Sequence, residues 1–180
     1  MKYSEIAKTT EYQNDKNCCT VVASSIAFDV PFPEMQEVFT KHGRKRNKGY
    51  YMDEIIYELG KKYGYEITLY NLRKKYTHNL KTNTRKLKKC EYVNLKNDEI
   101  LVQSKSQLTA SNFRNYLPAK NYIFGTRGHV LAVKNGAVQD WTENRKHRVT
   151  RIWTVEKIGK KSQTKKTQTR KPKHDFSSFV

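Results

Sequence analysis

The stretch GHVLAVKNGAVQDW, residues 128–141, decides how this chain folds. Two apolar runs flank Asn135-Gly136, a dipeptide suited to a two-residue hairpin turn because both of its positions tolerate positive φ. A turn centred there predicts that Lys134 pairs with Ala137, Val133 with Val138, Leu131 with Asp140 and His129 with Thr142. Strand side chains alternate between faces, so His129, Leu131 and Val133 share a face with Val138, Asp140 and Thr142. His129 and Asp140 become diagonal neighbours within reach of one another. A slip of one residue would carry Asp140 to the opposite face.

Further strand-like runs surround this hairpin: NYIFG (121–125) before it and RVTRIWTV (148–155) after it. EITLYNL (66–72), EYVNL (91–95) and EILVQ (99–103) precede them. TASNFRNYL (109–117) reads as a short helix, with Thr109 or Ser111 as N-cap and Pro118 closing it. The first third of the chain has the helical period instead. Cys19, Val22, Ala23, Ile26, Ala27 and Val30 fall on a narrow stripe, and Pro31 and Pro33 divide it from a second helix with Met35, Val38 and Phe39 inward. A third helix is expected from Tyr51 to Tyr63, with Gly64 after its end. Helices first and a mainly antiparallel sheet afterwards make an α+β fold.

The stretch QNDKNCCTVVASSIAFDV (13–30) adds chemistry. A thiol at a helix N-terminus is favoured as thiolate by the helix dipole and the free N–H groups. Gln13 stands six residues upstream of Cys19, His129 and Asp140 far downstream. A nucleophilic thiol needs a histidine to take its proton, an acid to orient that histidine, and donors for an oxyanion. All four residue types occur, in the order Gln, Cys, His, Asp.

On those residues the chain resembles the papain-like cysteine peptidase superfamily. Within it, Cys19-Thr20-Val21-Val22-Ala23 is similar to the C-T-V-x-A of bacteriocin-leader-cleaving domains and small phage-encoded relatives. The likeness covers Gln13–Val30 and Gly128–Trp141, and the region between by element order alone. It implies Cys19 as nucleophile, His129 as general base and Asp140 as orienting acid. Gln13 and the Cys19 N–H would form the oxyanion hole, and Trp141 would be a lid or packing residue. It implies a papain-like domain over 1–156, helices packed on the sheet, acting on a peptide or protein substrate without metal or cofactor. The chain departs from the family in the second Cys before Cys19, in the short His-to-Asp gap and in the missing small-residue run. Asp15-Lys16-Asn17-Cys18 resembles the ovarian-tumour-domain deubiquitinases and would make Cys18 the nucleophile. Cys19 is preferred because it alone satisfies both the Gln spacing and the helical stripe. The same scaffold without catalysis, serving as a basic nucleic-acid-binding or phage virion protein, is the other reading.

The formal charge of +19 concerns partners rather than fold. Three segments (41–48, 73–90 and a tail from 157 to 180) hold 21 of the 36 Lys and Arg but one of the 17 acids. Expected polyanion contacts are Arg44, Lys45, Arg46 and Lys48 in the first segment. The second offers Arg73, Lys74, Lys75, Arg85, Lys86, Lys88 and Lys89, and the tail Lys165, Lys166, Arg170 and Lys171. Tyr50, Tyr51, Tyr70 and Tyr76 lie near these clusters. A nucleic acid or another polyanion, held with little sequence preference, is the expected partner. Segment 73–90 is too poor in apolar residues for a core element and reads as a loop or poorly buried helix; the tail reads as disordered alone. MKYSEIAKTT lacks the apolar core of a signal peptide and no run is long enough to span a bilayer. Three cysteines, two adjacent, suit neither a disulfide framework nor a zinc site. A cytoplasmic or virion location is expected.

Overall fold

The computed structural model describes residues 1–142 and 145–159, so the expected tail contacts Lys165, Lys166, Arg170 and Lys171 lie outside the described residues. Two one-turn helices, α1 (Tyr3–Ile6) and α2 (Thr10–Gln13), lead into α3 (Cys19–Phe28) and α4 (Phe32–Lys41). A 3₁₀ turn (Met52–Glu54) and α5 (Ile56–Tyr63) follow. The expected single helix over 51–63 is thus broken at Ile55, whose backbone (φ −127°) is not helical. Gly64 closes α5 in the left-handed region (φ 74°), where glycine has no Cβ to clash.

The strands are β1 (Tyr65–Asn79), β2 (Thr84–Asn94), β3 (Glu99–Ser104), β4 (Tyr122–Thr126), β5 (His129–Lys134), β6 (Ala137–Gln139) and β7 (Arg151–Lys157). They form one sheet in the order β3-β2-β1-β7-β4-β5-β6. Every neighbouring pair is antiparallel. The architecture is α+β. Among the described residues, no helix is long and apolar enough to cross a membrane.

Each face of the sheet carries its own core. On one, Ile123, Ala132, Trp153 and Val155 meet α3, α4 and α5. On the other, Tyr92, Tyr122, Phe124 and Ile152 are covered by Leu108, Ala110, Phe113 and Leu117 of the 105–118 segment. That segment contains only a 3₁₀ turn at Phe113–Asn115, not the helix expected over 109–117. Its apolar side chains follow the sheet surface rather than one helical stripe. Thr109 still caps the turn: its Oγ1 accepts from the Asn112 N–H (3.2 Å), and Asn112 Oδ1 accepts from the Thr109 N–H (2.7 Å).

α3 departs from the narrow stripe as well. Every residue from Thr20 to Phe28 is buried, because the helix is enclosed by the sheet and its sister helices. Among its buried polar groups, Ser25 Oγ donates to the Val30 carbonyl at 2.6 Å, whereas Thr20 Oγ1 has no hydrogen-bond partner among the described residues.

The largest difference concerns 73–90. It is neither loop nor helix: β1 and β2 continue through it as a two-stranded antiparallel ribbon, with Asn79 opposite Thr84 at its end. Apolar content is low there because residues 73–88 are exposed on both faces and pack on nothing.

Candidate active site

The hairpin register is the one predicted around Asn135-Gly136. Lys134 pairs with Ala137 and Val133 with Val138. Asn135 (φ 50°) and Gly136 (φ 74°) are both left-handed, as the two-residue turn requires. The ladder stops at Ala132–Gln139, so Leu131–Asp140 and His129–Thr142 are not ladder partners. Asp140 instead leaves the strand and turns its carboxylate back to the imidazole.

His129 Nε2 and Asp140 Oδ2 are 3.0 Å apart, in a setting where the side chains are 11% and 1% exposed. The same oxygen accepts from the Thr142 N–H (2.9 Å) and from Thr142 Oγ1. These two local bonds fix the carboxylate before the imidazole meets it. The sequence places Thr142 opposite His129 rather than on Asp140, although an acid followed two residues later by threonine is a turn signal. On the far side of the ring, Thr126 Oγ1 donates to the His129 carbonyl at 3.0 Å, holding the strand end.

With Nε2 engaged by Asp140, Nδ1 is the nitrogen left for Cys19, the first residue of α3. Burial pushes the Cys19 thiol up. The hydrogen bond to His129, the Val130 N–H, the His129 charge and the Thr20 N–H outweigh burial, and the net direction is down. Burial likewise draws His129 down, but Asp140 and then Cys19 prevail and push it up to about 9. The two groups favour each other's charged form: a thiolate beside an imidazolium.

Cys18 behaves in the opposite way. It is the buried N-cap of α3, and burial, followed by the charge of Asp15, pushes its thiol up to about 11. Cys90 is buried in β2, and its thiol too is pushed up by burial. The vicinal pair therefore divides into one thiol drawn up and one drawn down.

The loop that delivers Cys19 is anchored by Asp15. Its carboxylate, 2% exposed, accepts from Arg44 Nη1 (2.7 Å) and Nη2 (2.9 Å), from Gln36 Nε2 (2.7 Å) and from the Asn47 N–H (2.8 Å). Burial opposes the charge, yet these donors hold the carboxyl below its ordinary range. Arg44, counted above among polyanion contacts, is 3% exposed and committed to Asp15, so it is withdrawn from the basic surface. A run of basic residues could not reveal that one of them turns inward. Lys45, Arg46 and Lys48 remain exposed, with Arg46 Nε donating to the Asn14 carbonyl.

Cys19 and His129 open onto a cleft of about 520 Å³ whose other walls include Tyr50, Tyr51, Gly125 and Arg151. Tyr50 and Tyr51 thus belong to the cleft; Tyr70 is buried in the second core. Trp141 covers the imidazole, with ring centroids 4.6 Å apart, while remaining 47% exposed. His147 lies behind the ring at 5.6 Å between centroids. Burial first, then the charge of His129, lowers its pKa. Gln13 is exposed at the C-terminal end of α2 and is not among the residues lining the cleft.

The arrangement places a thiol at a helix N-terminus and an imidazole at a strand end on the wall of one cleft, with a carboxylate just beyond the next strand bonded to that imidazole. No protein-family model, curated protein or solved structure matches this chain.

Proposed function

We propose that the chain is a cysteine-nucleophile hydrolase of papain-like layout, cleaving an amide or isopeptide bond in a peptide or protein substrate, with basic elements that hold a polyanion. The observation that carries this reading is the meeting of Cys19 and His129 on one cleft, with Asp140 bonded to the imidazole, the pKa of Cys19 drawn down and that of His129 drawn up. A structural cysteine in an apolar helix would show the opposite, as Cys18 does.

In this mechanism the Cys19 thiolate attacks the scissile carbonyl carbon, and the carbonyl oxygen becomes an oxyanion facing the Cys19 N–H. As N1 of α3, that N–H has no carbonyl partner within the helix. Gln13, exposed at the end of α2 and not among the residues lining the cleft, is the second donor that the papain-like resemblance implies. The imidazolium of His129 gives its proton to the leaving nitrogen as the C–N bond breaks, leaving a thioester on Cys19. His129, neutral again, takes a proton from water; hydroxide attacks the thioester carbon, the C–S bond breaks, and the acid leaves with the Cys19 thiolate restored beside the His129 imidazolium. Asp140 holds the ring and stabilises its cation throughout.

The test is labelling by an electrophilic peptide followed by peptide mapping. Label should fall on Cys19 and disappear in Cys19→Ala, while Cys18→Ala and Cys90→Ala label as the parent does. Equal labelling of all three thiols would reject the reading. Gln13→Ala should leave labelling by iodoacetamide unchanged but slow turnover by about a hundredfold if Gln13 completes the hole.

The exposed cationic ribbon favours a second reading, a catalytically inert scaffold that binds nucleic acid. Polyanion binding that survives Cys19→Ser, in a protein that turns over no amide, would select it.

A further inference from the structure

The β1–β2 ribbon has no role in the cleft and is too exposed to serve the core. Beyond Asn71, β1 has lost β7; beyond Cys90, β2 has lost β3. From there to the Asn79–Thr84 pair, two strands stand alone. Residues 73–90 hold eight Lys and Arg and no acid.

The cations divide by position. At the base, Arg73, Lys75 and Lys89 converge on the Glu91 carboxylate, at 3.4, 3.2 and 2.6 Å, and are partly neutralised. Lys74 at the base, and Lys81, Arg85, Lys86 and Lys88 further out, have no ion-pair partner among the described residues. Cross-strand partners share a face, so the pairs His78–Arg85 and Thr77–Lys86 put Arg85 and Lys86 on opposite faces. Guarding two open strand edges against aggregation would need a lysine or two, not five unpaired cations. The register shifts at Lys75/Tyr76, a bulge of the kind that increases strand twist.

We infer that this ribbon is a binding arm for double-stranded DNA, lying in the major groove with phosphates on both sides. Two strands about 4.8 Å apart, with their side chains, make a body roughly 10 Å across. The B-form major groove is about 12 Å wide and admits a two-stranded ribbon. An A-form RNA groove is too narrow for it. Cations on both faces suit a body flanked by two phosphate rows, whereas an acidic protein patch would engage one face. Single strands are held by successive aromatic platforms, and the arm's one aromatic, Tyr76, already stacks under Arg85 at 4.7 Å. Leu80, 85% exposed at the tip, is an apolar group able to meet a thymine methyl. This inference rests on the polyanion half of the proposed function and is independent of the thiol chemistry.

The experiment measures fluorescence-anisotropy titrations of a 20-base-pair duplex, the matching single strand and polyglutamate, across a salt series. It compares the parent chain with a variant carrying Lys74→Gln, Lys81→Gln, Arg85→Gln, Lys86→Gln and Lys88→Gln. The parent should prefer duplex. The variant should bind it at least about tenfold more weakly at 0.1 M salt, with a log–log salt slope reduced by roughly four. Because the replaced side chains are exposed, the variant should keep the parent iodoacetamide rate at Cys19, showing that it is folded. An unchanged slope would assign binding to other basic residues and overturn the inference, as would equal affinity for single strand or polyglutamate. Cys19→Ser should bind duplex as the parent does, so failure of the hydrolase reading and failure of the arm are separately visible.

Discussion

Asp140→Asn removes one charge from the site and little else. The Asn carbonyl oxygen can take the place of Oδ2 and still accept from His129 Nε2, Thr142 N and Thr142 Oγ1, so ring orientation is kept. What is lost is the carboxylate that, with Cys19, lifts His129 from 6.5 to about 9. That elevation corresponds to roughly 3 kcal/mol in favour of the imidazolium, an upper figure because solvent in the cleft screens part of it. With the Asp140 contribution removed and that of Cys19 retained, the His129 pKa falls from about 9 and the imidazolium fraction at pH 7.5 falls with it. The thiolate it sustains falls with it, so iodoacetamide should alkylate Cys19 up to about tenfold more slowly, with the acid limb of the rate–pH profile displaced upward. The sign also extends to stability. A histidine pKa raised on folding contributes stability that is complete below about 6.5 and is lost as pH climbs through about 9. The parent should therefore lose stability over that interval and Asp140→Asn should lose less. Site-resolved alkylation by mass spectrometry, pH 5 to 10, reads the rate; Cys90 serves as the unfolding control because it is fully buried. An unchanged Cys19 profile in Asp140→Asn, with Cys90 still protected, would refute the coupling on which the mechanism depends.

Two further perturbations test the supports of the site. Asp15→Ala strands the buried Arg44 guanidinium without its carboxylate and should cost about 3–5 kcal/mol in urea unfolding; a cost below 1 would mean that the node does not hold the Cys19 loop. Gly136→Ala places a Cβ at φ 74° and 3.1 Å from Ala119 Cβ, so it should cost about 1 kcal/mol or more by thermal melting, and an unaltered melting temperature would contradict the tight turn.

The parts of the molecule that were legible in sequence are those governed by local rules. Asn135-Gly136 admits one turn geometry, and that turn sets the register of Val133–Val138 and, through it, the proximity of His129 to Asp140. Alternation and turn residues likewise located β4, β5 and β7. What could not be read depends on partners distant in the chain. Arg44 looks like its basic neighbours until Asp15, 29 residues earlier, is brought against it. α3 showed a stripe because serine and threonine count as polar, yet all its faces are enclosed. Segment 73–90 lacked apolar alternation because it packs on nothing; its strand character comes from pairing with itself.

The site depends on the junction between the two halves of this architecture. Cys19 is supplied by a helix whose start is fixed by the Asp15–Arg44 node, His129 and Asp140 by a hairpin fixed by its turn. Neither half alone produces the opposed pKa directions of Cys19 and His129, because each group is a cause of the other's shift. Packing of α3 against the sheet, with Ala23, Ile26 and Ala27 in one core with Ala132 and Val130, is therefore what draws down the pKa of a helix-terminal cysteine. It follows that core substitutions which shift α3 relative to β5 should alter Cys19 reactivity before they unfold the chain, while changes on the exposed ribbon should leave it untouched.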